Sequence, residues 1–238
     1  YALLLARGVA DRAVTRIMKR DASVFTNDRT VKKLIANRLG WVDIAESMKK
    51  QIPAIEQFGA QVFKSGFRHV VLVGMGGSSL CPELFKLVYG KHQKLASFDV
   101  LDSTDPAAIL NLERRLSLRK TLFIIASKSG GTVETRSHEA YLLDKVANLG
   151  VKRPGLQFVA ITDKGSSLES FAKQYKYRKV FVNPSDIGGR YSALSLFGLV
   201  PGFFAGVKLR ALLDSAVAMG KLLRERTGES NPALALAA

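Results

Sequence analysis

Three stretches of the sequence combine glycines with hydroxyl or cationic side chains, a combination that can bind an anion. They read "GMGGSSL" at 74–80, "SKSGGTVET" at 127–135 and "SDIGGRYSALSLFGLVP" at 185–201. Glycine leaves backbone N–H groups open to a ligand, and the N-terminus of a following helix adds partial positive charge. The three stretches therefore predict a site for a phosphorylated ligand, provided that the fold brings them together.

The stretch at 127–135 is the strongest candidate for the phosphate site itself. Ser127, Ser129 and Thr132 supply hydroxyl groups, and Gly130 and Gly131 bare their amides just before a predicted helix. Hydroxyls and amides at a helix N-terminus suit a phosphate monoester. A turn that merely caps the helix is the alternative. A second amide-rich loop beside this one would favour the phosphate site over a simple helix cap.

The stretch at 74–80 has a second interpretation, as a dinucleotide-binding loop. Gly74 and Gly76 match the opening of that fingerprint, but Ser79 stands in place of its third glycine. Spacing alone is weak evidence, and a dinucleotide site needs no second phosphate loop. A nucleotide-dependent oxidoreductase therefore stays as an alternative function.

The third stretch pairs two glycines with an arginine. Gly188 and Gly189 would let the chain pass close to a ligand, and Arg190 would place a permanent positive charge beside it. A guanidinium there suits a phosphate or a developing oxyanion. The alternative is a turn whose arginine reaches the carboxyl end of a helix.

The overall charge agrees with an anionic ligand. The 238 residues include 36 Lys and Arg against 20 Asp and Glu, a net charge of +16, and 47% of them are hydrophobic. Such a surface attracts phosphorylated metabolites, nucleic acid or acidic membranes. The basic residues are dispersed without a nucleic-acid-binding motif, and the most apolar stretch, 193–207, is interrupted and too short to span a bilayer. We expect neither a nucleic-acid nor a membrane partner.

The cysteine and histidine residues point to no metal site and no cofactor. Cys81 is the single cysteine, so no internal disulfide can form, and a reducing, cytoplasmic location fits best. His69, His92 and His138 are scattered without the spacing of metal ligands.

The elements that must position these stretches alternate between strands and helices. Short continuous apolar runs separated by helical segments are typical of a parallel sheet that is buried on both faces. They predict a three-layer, doubly wound, flavodoxin-like α/β fold with the first and third strands adjacent and the ligand beyond the strand ends. The predicted strands are 69–74, 98–101, 121–126, 156–162 and 179–182, and the crossover helices are 80–89, 106–116, 132–149 and 167–174.

The periodicity divides the chain into three parts. Residues 1–66 have a helical pattern that includes an amphipathic helix over 1–10 and a helix that Pro53 should kink or end. The strand–helix domain covers 67–206. A last helix lies within 207–238, and its apolar stripe needs a partner. Because the chain begins at Tyr1 rather than Met, we expect it to be part of a longer polypeptide.

Taken together, "GMGGSSLCPEL", "SKSGGTVET" and "GGRYSALSLFGLVP" resemble the phosphoglucose isomerase family and its first sugar-isomerase (SIS) domain. The resemblance covers 68–206. It implies interconversion of glucose 6-phosphate and fructose 6-phosphate, in glycolysis and gluconeogenesis, through a cis-enediolate, and it implies a homodimer.

The resemblance also implies a role for individual residues. Arg190 would lie near the enediolate oxygens, and Gly77 and Gly189 would let the substrate approach the backbone. Whether Lys128 faces the phosphate or only solvent stays open. The phosphate-binding residues implied are Ser78, Ser127, Lys128, Ser129 and Thr132.

Two departures from the family pattern leave these ligands in place, but a third affects the chemistry. Cys81 replaces a common glycine, and Gly131 replaces a frequent threonine. The family's glutamate base, ring-opening histidine, and later glutamine and lysine come from segments after the "GGR" motif, and no such segment follows here. His138, Glu225 and Glu229 are substitutes without a supporting motif. We therefore expect sugar-phosphate binding without isomerisation by this chain alone; a non-catalytic SIS domain that senses sugar phosphates for a regulator is the alternative.

Overall fold

A five-stranded parallel sheet forms the centre of the computed structural model, which describes residues 12–225 and 230–237. The strand order is β2-β1-β3-β4-β5, the flavodoxin-like order with the first and third strands adjacent. The predicted doubly wound α/β fold is confirmed. The strands are His69–Gly74 (β1), Ser97–Leu101 (β2), Thr121–Ala126 (β3), Phe158–Asp163 (β4) and Lys179–Asn183 (β5).

Helices precede the sheet, connect its strands and follow it. The crossover helices begin and end within one residue of their predicted bounds. The helices are Ala13–Met18 (α1), Arg29–Ala36 (α2), Ile44–Met48 (α3), Ile52–Lys64 (α4), Leu80–Tyr89 (α5), Pro106–Arg115 (α6), Val133–Asn148 (α7), Ser167–Gln174 (α8), Leu196–Ala205 (α9), Leu209–Glu225 (α10) and Pro232–Ala237 (α11).

Two hydrophobic cores cover the two faces of the sheet. Val70 and Leu72 of β1 belong to one core, with side chains of α4, α5, α9 and α10. Val71 and Val73 belong to the other, with side chains of α6, α7 and α8. Successive strand residues point to opposite faces, so a strand covered on both sides must be apolar throughout. Each such side chain contributes about 1.5–3 kcal/mol when fully buried, which explains the continuous apolar runs.

One strand begins later than predicted. The chain from Pro154 to Gln157 forms a 3₁₀ turn, and β4 begins at Phe158 rather than at 156. The Gln157 side-chain amide donates to the carbonyl oxygens of Leu118 (2.6 Å) and Thr121 (2.7 Å). These bonds hold the turn against the start of β3, so Gln157 is buried for its polar contacts and not as a strand residue.

The N-terminal helices pack onto the same core as the sheet. A 3₁₀ turn at Lys49–Gln51 separates α3 from α4, and Pro53 lies in the first turn of α4, where a missing N–H costs no hydrogen bond. The predicted break at Pro53 is confirmed. The segment reaches the end of the sheet through a bridge between Leu39 and Ile187. The amphipathic helix expected over 1–10 lies outside the described residues, and the three-part division of the chain stays a prediction.

Helices α5 and α10 both leave apolar side chains exposed. The stripe of α10 is partly covered, because Leu209 and Leu213 are buried in the core while Met219 is half exposed. The outer face of α5 is open: Leu84 and Leu87 are 56% and 76% exposed. Leu80 and Val88 continue the same stripe.

No helix among the described residues has the length and apolar character to cross a membrane. In the same part of the chain, no group of three or more His, Cys, Asp or Glu side chains could hold a metal ion.

Candidate functional site

The loops after β1 and β3 lie side by side and line one open cleft. Because β1 and β3 pair in parallel up to Gly74 and Ala126, their following loops emerge at the same edge of the sheet. The cleft has a volume of about 530 Å³. Its lining residues are Arg38, Met75, Gly77, Ser78, Lys128, Ser129, Thr132, Asp163, Lys164, Gly165, Ser166 and Gly189.

The loop after β3 is built around a buried hydroxyl. Ser127 is only 2% exposed; its Oγ accepts a hydrogen bond from the Gly130 amide (3.1 Å) and lies 3.0 Å from Thr132 Oγ1. Ser129 and Thr132 line the cleft, whereas Ser127 does not. Ser127 therefore stabilises the loop from its buried side, and the hydroxyls that are accessible to a ligand are those of Ser129 and Thr132.

The end of β4 fixes this loop from its other side. Thr162 Oγ1 donates to the Ser127 carbonyl oxygen (2.7 Å) and lies 2.7 Å from Ser166 Oγ. Ser166 Oγ in turn accepts the amide of Glu169 and caps α8. The ends of two neighbouring strands, β3 and β4, thus contribute to the same hydrogen-bonded frame.

Lys128 faces the cleft but its charge is already engaged. Its ammonium group donates to the Asp163 carboxylate and to the Ser185 carbonyl oxygen (2.9 Å). Asp163 is the one carboxylate among the cleft's described lining residues, beside the cations Arg38, Lys128 and Lys164. The lining therefore has an excess of positive charge, which favours an anionic ligand.

The first and third glycine stretches touch through their backbones. A Cβ built on Gly77 would lie 2.4 Å from the Gly189 carbonyl oxygen. The Ser192 hydroxyl lies 3.1 Å from the Gly77 carbonyl oxygen and 2.6 Å from that of Gly189, so it can donate to either. The structure brings Gly77, Ser78 and Gly189 to the same cleft as Ser129 and Thr132.

Comparison with known proteins identifies the family of this chain. The family profile described as phosphoglucose isomerase matches residues 8–238. The chain belongs to the phosphoglucose isomerase family. It is 36% identical to a glucose-6-phosphate isomerase of Thermus thermophilus over 192 residues, which are 78% of this chain and 45% of that protein. It is 35% identical to the enzyme of Acaryochloris marina over 173 residues, 72% of this chain and 32% of that one.

Solved structures share the fold of this chain. The crystal structure of hypothetical protein TT0462 from Thermus thermophilus superposes with a TM-score of 0.78 at 30% identity, and the match covers 98% of this chain and 52% of that one. A glucose-6-phosphate isomerase from Chlamydia trachomatis shares the fold, with a TM-score of 0.66 at 24% identity over 88% of this chain and 38% of that one. The chain spans a third to about half of the length of these relatives.

The arginine that resembles a residue of the phosphoglucose isomerase site does not line the cleft. Arg190 lies on the 3₁₀ turn Gly189–Tyr191, is exposed, and makes no hydrogen bond or ion pair within residues 12–225 and 230–237. Its neighbour Tyr191 stacks on Trp41, with ring centroids 5.2 Å apart. Arg190 is thus a free cation next to the cleft, and its role at the enediolate stays a prediction.

Of the groups considered as substitutes for a phosphoglucose isomerase base, His138 does not line the cleft. It is buried in α7, 3% exposed, and burial lowers its pKa and favours the neutral imidazole. Burial also raises the pKa of the Cys81 thiol to about 11. Glu229 and the side chain of Glu225 lie outside the described part.

Two of the three cations that line the cleft among the described residues were missed by sequence reasoning. Arg38 follows α2 and reaches the cleft because the adjacent Leu39 pairs with Ile187, a contact between distant parts of the chain that no local motif records. Lys164 belongs to "DKGSS" at 163–167, a polar, glycine-containing loop directly after β4. Lys164 lies directly beyond the end of β4, where the rule that ligands bind beyond strand ends predicts a contact.

Proposed function

We propose that this chain is the sugar-phosphate-binding part of a glucose-6-phosphate isomerase and binds glucose 6-phosphate and fructose 6-phosphate in the cleft. The observation that carries the proposal is the meeting of two amide- and hydroxyl-rich loops, residues 76–78 and 129–132, at one positively charged cleft. The family membership supports the substrate class. We also propose a cytoplasmic location and a place in glycolysis and gluconeogenesis.

The phosphate group belongs at the N-terminus of α7. The hydroxyls of Ser129 and Thr132 can donate to it, and the first turn of a 16-residue helix adds its dipole, while the Gly131 amide donates to Ser129 Oγ (3.2 Å) and helps to position that hydroxyl. Lys164 and Arg38 also line the cleft and supply positive charge. Anchoring the phosphate leaves the reacting carbons toward Gly77, Ser78 and Gly189, and orienting them in this way is how remote binding energy assists a reaction.

Proton transfer between the two sugar carbons needs a base that these residues do not offer. Asp163 is the one carboxylate among the described lining residues, and it is held by Lys128. Arg190 can stabilise a developing enediolate but cannot exchange protons, since a guanidinium stays charged. We therefore expect this chain to bind the substrate and to show negligible turnover in a coupled isomerase assay. Brisk turnover would contradict this proposal.

Calorimetric titration with 6-phosphogluconate and fructose 6-phosphate tests the site. Ser129→Ala and Thr132→Val should each weaken binding about tenfold or more, because each removes a hydrogen bond to a charged group. Ser215→Ala, on the exposed face of α10 away from the cleft, is the matched control and should bind like the wild type. Unchanged affinity in both cleft variants would exclude the phosphate assignment.

A sensing role without catalysis is the second candidate function. The sensing role is favoured because the described lining residues include no free base. The two differ in the intact protein: an isomerase interconverts the sugars, and a sensor changes only its interaction with a partner when fructose 6-phosphate is added.

We also propose that the chain forms a homodimer through α5. Leu80, Leu84, Leu87 and Val88 form an exposed apolar stripe on this helix, and such patches mark association surfaces. A two-fold axis would pair the stripe with itself, so one surface serves both copies. Light scattering should give a dimer for the wild type and a monomer for Leu84→Glu combined with Leu87→Glu. A wild-type monomer would refute the proposal.

A further inference from the structure

A second cavity lies at the end of the sheet opposite the cleft. The cleft forms where β1 and β3 end, whereas this cavity is lined by residues that precede β4 and β5. Its volume is about 400 Å³. The lining residues are Lys152, Arg153, Pro154, Gly155, Leu156, Tyr175 and Lys176.

The wall of the cavity is a tight contact between two turns. A Cβ on Gly155 would lie 1.9 Å from the Tyr175 carbonyl oxygen, so the two backbones touch. Lys176 follows α8 in a left-handed conformation, with φ of 54°, and its amide donates to the Lys173 carbonyl oxygen (3.2 Å). A lysine held in this conformation costs about 1–2 kcal/mol relative to glycine. Side chains kept in such positions at a cavity are candidates for a role in binding.

The cavity carries positive charge that no lining carboxylate neutralises. Lys152, Arg153 and Lys176 have no ion pair or side-chain hydrogen bond with the described residues, unlike the neighbouring Lys173, which pairs with Glu169 at 2.6 Å. The carboxyl ends of α7 and α8 lie nearby, and each carries about half a negative charge. Two helix ends thus offset about one of the three cations, and a net positive charge stays to attract a polyanion.

An aromatic surface borders the same charges. The ring of Tyr175 stacks on that of Phe171, with centroids 4.2 Å apart, and the guanidinium of Arg136 covers Phe171 at 3.9 Å. Tyr175 is the outer member of this stack and is 44% exposed. Because Phe171 packs against one face of the Tyr175 ring and the residue is partly exposed, this ring is suited to stack on a planar base.

We propose that this cavity binds a nucleoside diphosphate, with its base on Tyr175 and its phosphates on Lys152, Arg153 and Lys176. A planar ring joined to two phosphates matches an aromatic surface next to three unpaired cations. The site is separate from the sugar-phosphate cleft and does not depend on the function proposed for that cleft.

Calorimetric titration of the 238-residue chain with ADP tests the proposal. Lys176→Gly removes a cation at a position whose φ suits glycine, so the variant should fold, and it should weaken ADP binding about fivefold or more. Tyr175→Ala should weaken ADP binding about fivefold or more and leave pyrophosphate binding unchanged. Lys173→Gln is the matched control, since Lys173 is exposed, paired and outside the cavity, and its ADP affinity should stay within twofold of the wild type.

The location of the bound ADP is tested by competition and by thermal stability. Excess 6-phosphogluconate should not displace ADP, and Thr132→Val should leave ADP affinity unchanged, because both act on the cleft. A melting temperature of Lys176→Gly without ligand at or above that of the wild type would show that the affinity loss is not unfolding. The proposal is wrong if ADP fails to bind at millimolar concentration, if pyrophosphate binds as tightly as ADP, or if 6-phosphogluconate displaces it.

Discussion

Replacing Gly130 by alanine should both destabilise the protein and weaken sugar-phosphate binding. Gly130 has a φ of +74°, and a Cβ there would lie 2.5 Å from the backbone nitrogen of Leu168 and 2.8 Å from Ser167 Oγ. The left-handed conformation costs an alanine about 1–2 kcal/mol. Relieving the clash costs about 1–3 kcal/mol more, as overpacking does elsewhere. We expect the free energy of unfolding to fall by about 2–5 kcal/mol.

The same methyl group should move the phosphate-binding loop. The clash is with the backbone of α8, whose first turn is capped by Ser166, so the loop and not the helix must give way. Its retreat would displace Ser129 and Thr132 from the rim of the cleft. Because binding of a phosphate by fixed donors depends on their position, we expect affinity for 6-phosphogluconate to fall at least tenfold.

Gly131 provides the matched control one residue further along. No heavy atom lies within 4 Å of the position of its Cβ, and its φ is outside the left-handed region. Gly131→Ala should therefore change stability by less than about 0.5 kcal/mol. With a urea slope of about 2 kcal/mol per molar, Gly130→Ala should lower the unfolding midpoint by about 1–2.5 M and Gly131→Ala should leave it nearly unchanged. Equal midpoints and equal affinities for the two variants would refute the reasoning.

Three further substitutions test the frame and a buried ionisable group. Gly77→Ala should lower the free energy of unfolding in urea by about 1–3 kcal/mol, because its Cβ would lie 2.4 Å from the Gly189 carbonyl oxygen. Gly189→Ala has open space around its Cβ and should be tolerated. A larger loss of stability for Gly189→Ala than for Gly77→Ala would contradict the contact. Burial raises the pKa of Glu139 in the folded state above its usual 4.5, so its contribution to stability is fully present below pH 4.5 and is lost as the pH rises through the folded pKa. The wild type should therefore lose stability relative to Glu139→Gln as the pH rises above 4.5. A difference in unfolding free energy that does not change with pH would show that the pKa of this carboxyl group is the same in the folded and unfolded states.

The fold could be predicted because its strands are covered on both faces. In β1 and β3 every residue that points to a helix layer must be apolar, so both strands can be located to the residue. Prediction was less accurate where a polar side chain has a structural purpose. Gln157 lies next to apolar residues, but its amide bonds to Leu118 and Thr121, and this contact between distant segments sets the start of β4.

The site could be predicted only as far as it is local in sequence. Ser129 and Thr132 lie within one loop whose composition indicates a phosphate site, and they do line the cleft. The same composition indicated Ser127, but hydroxyl content does not distinguish a ligand-facing group from a buried brace. Arg38 could not be found in this way, since it is one of 36 basic residues and reaches the cleft only through the packing of the N-terminal helices.

The frame of the cleft is made mainly of backbone, which explains why its sequence signature is glycine. Gly77 meets Gly189 through main-chain atoms, and Gly130 lies against the main chain of α8. A contact of this kind tolerates no side chain at the glycine, but it does not depend on the identity of the residues around it. We therefore expect the frame to tolerate substitutions around these glycines, as between this chain and relatives that are 30–36% identical to it. Side chains at the rim, such as Arg38 and Lys164, are under no such constraint, so they are where we expect ligand preference to be adjusted without loss of the fold.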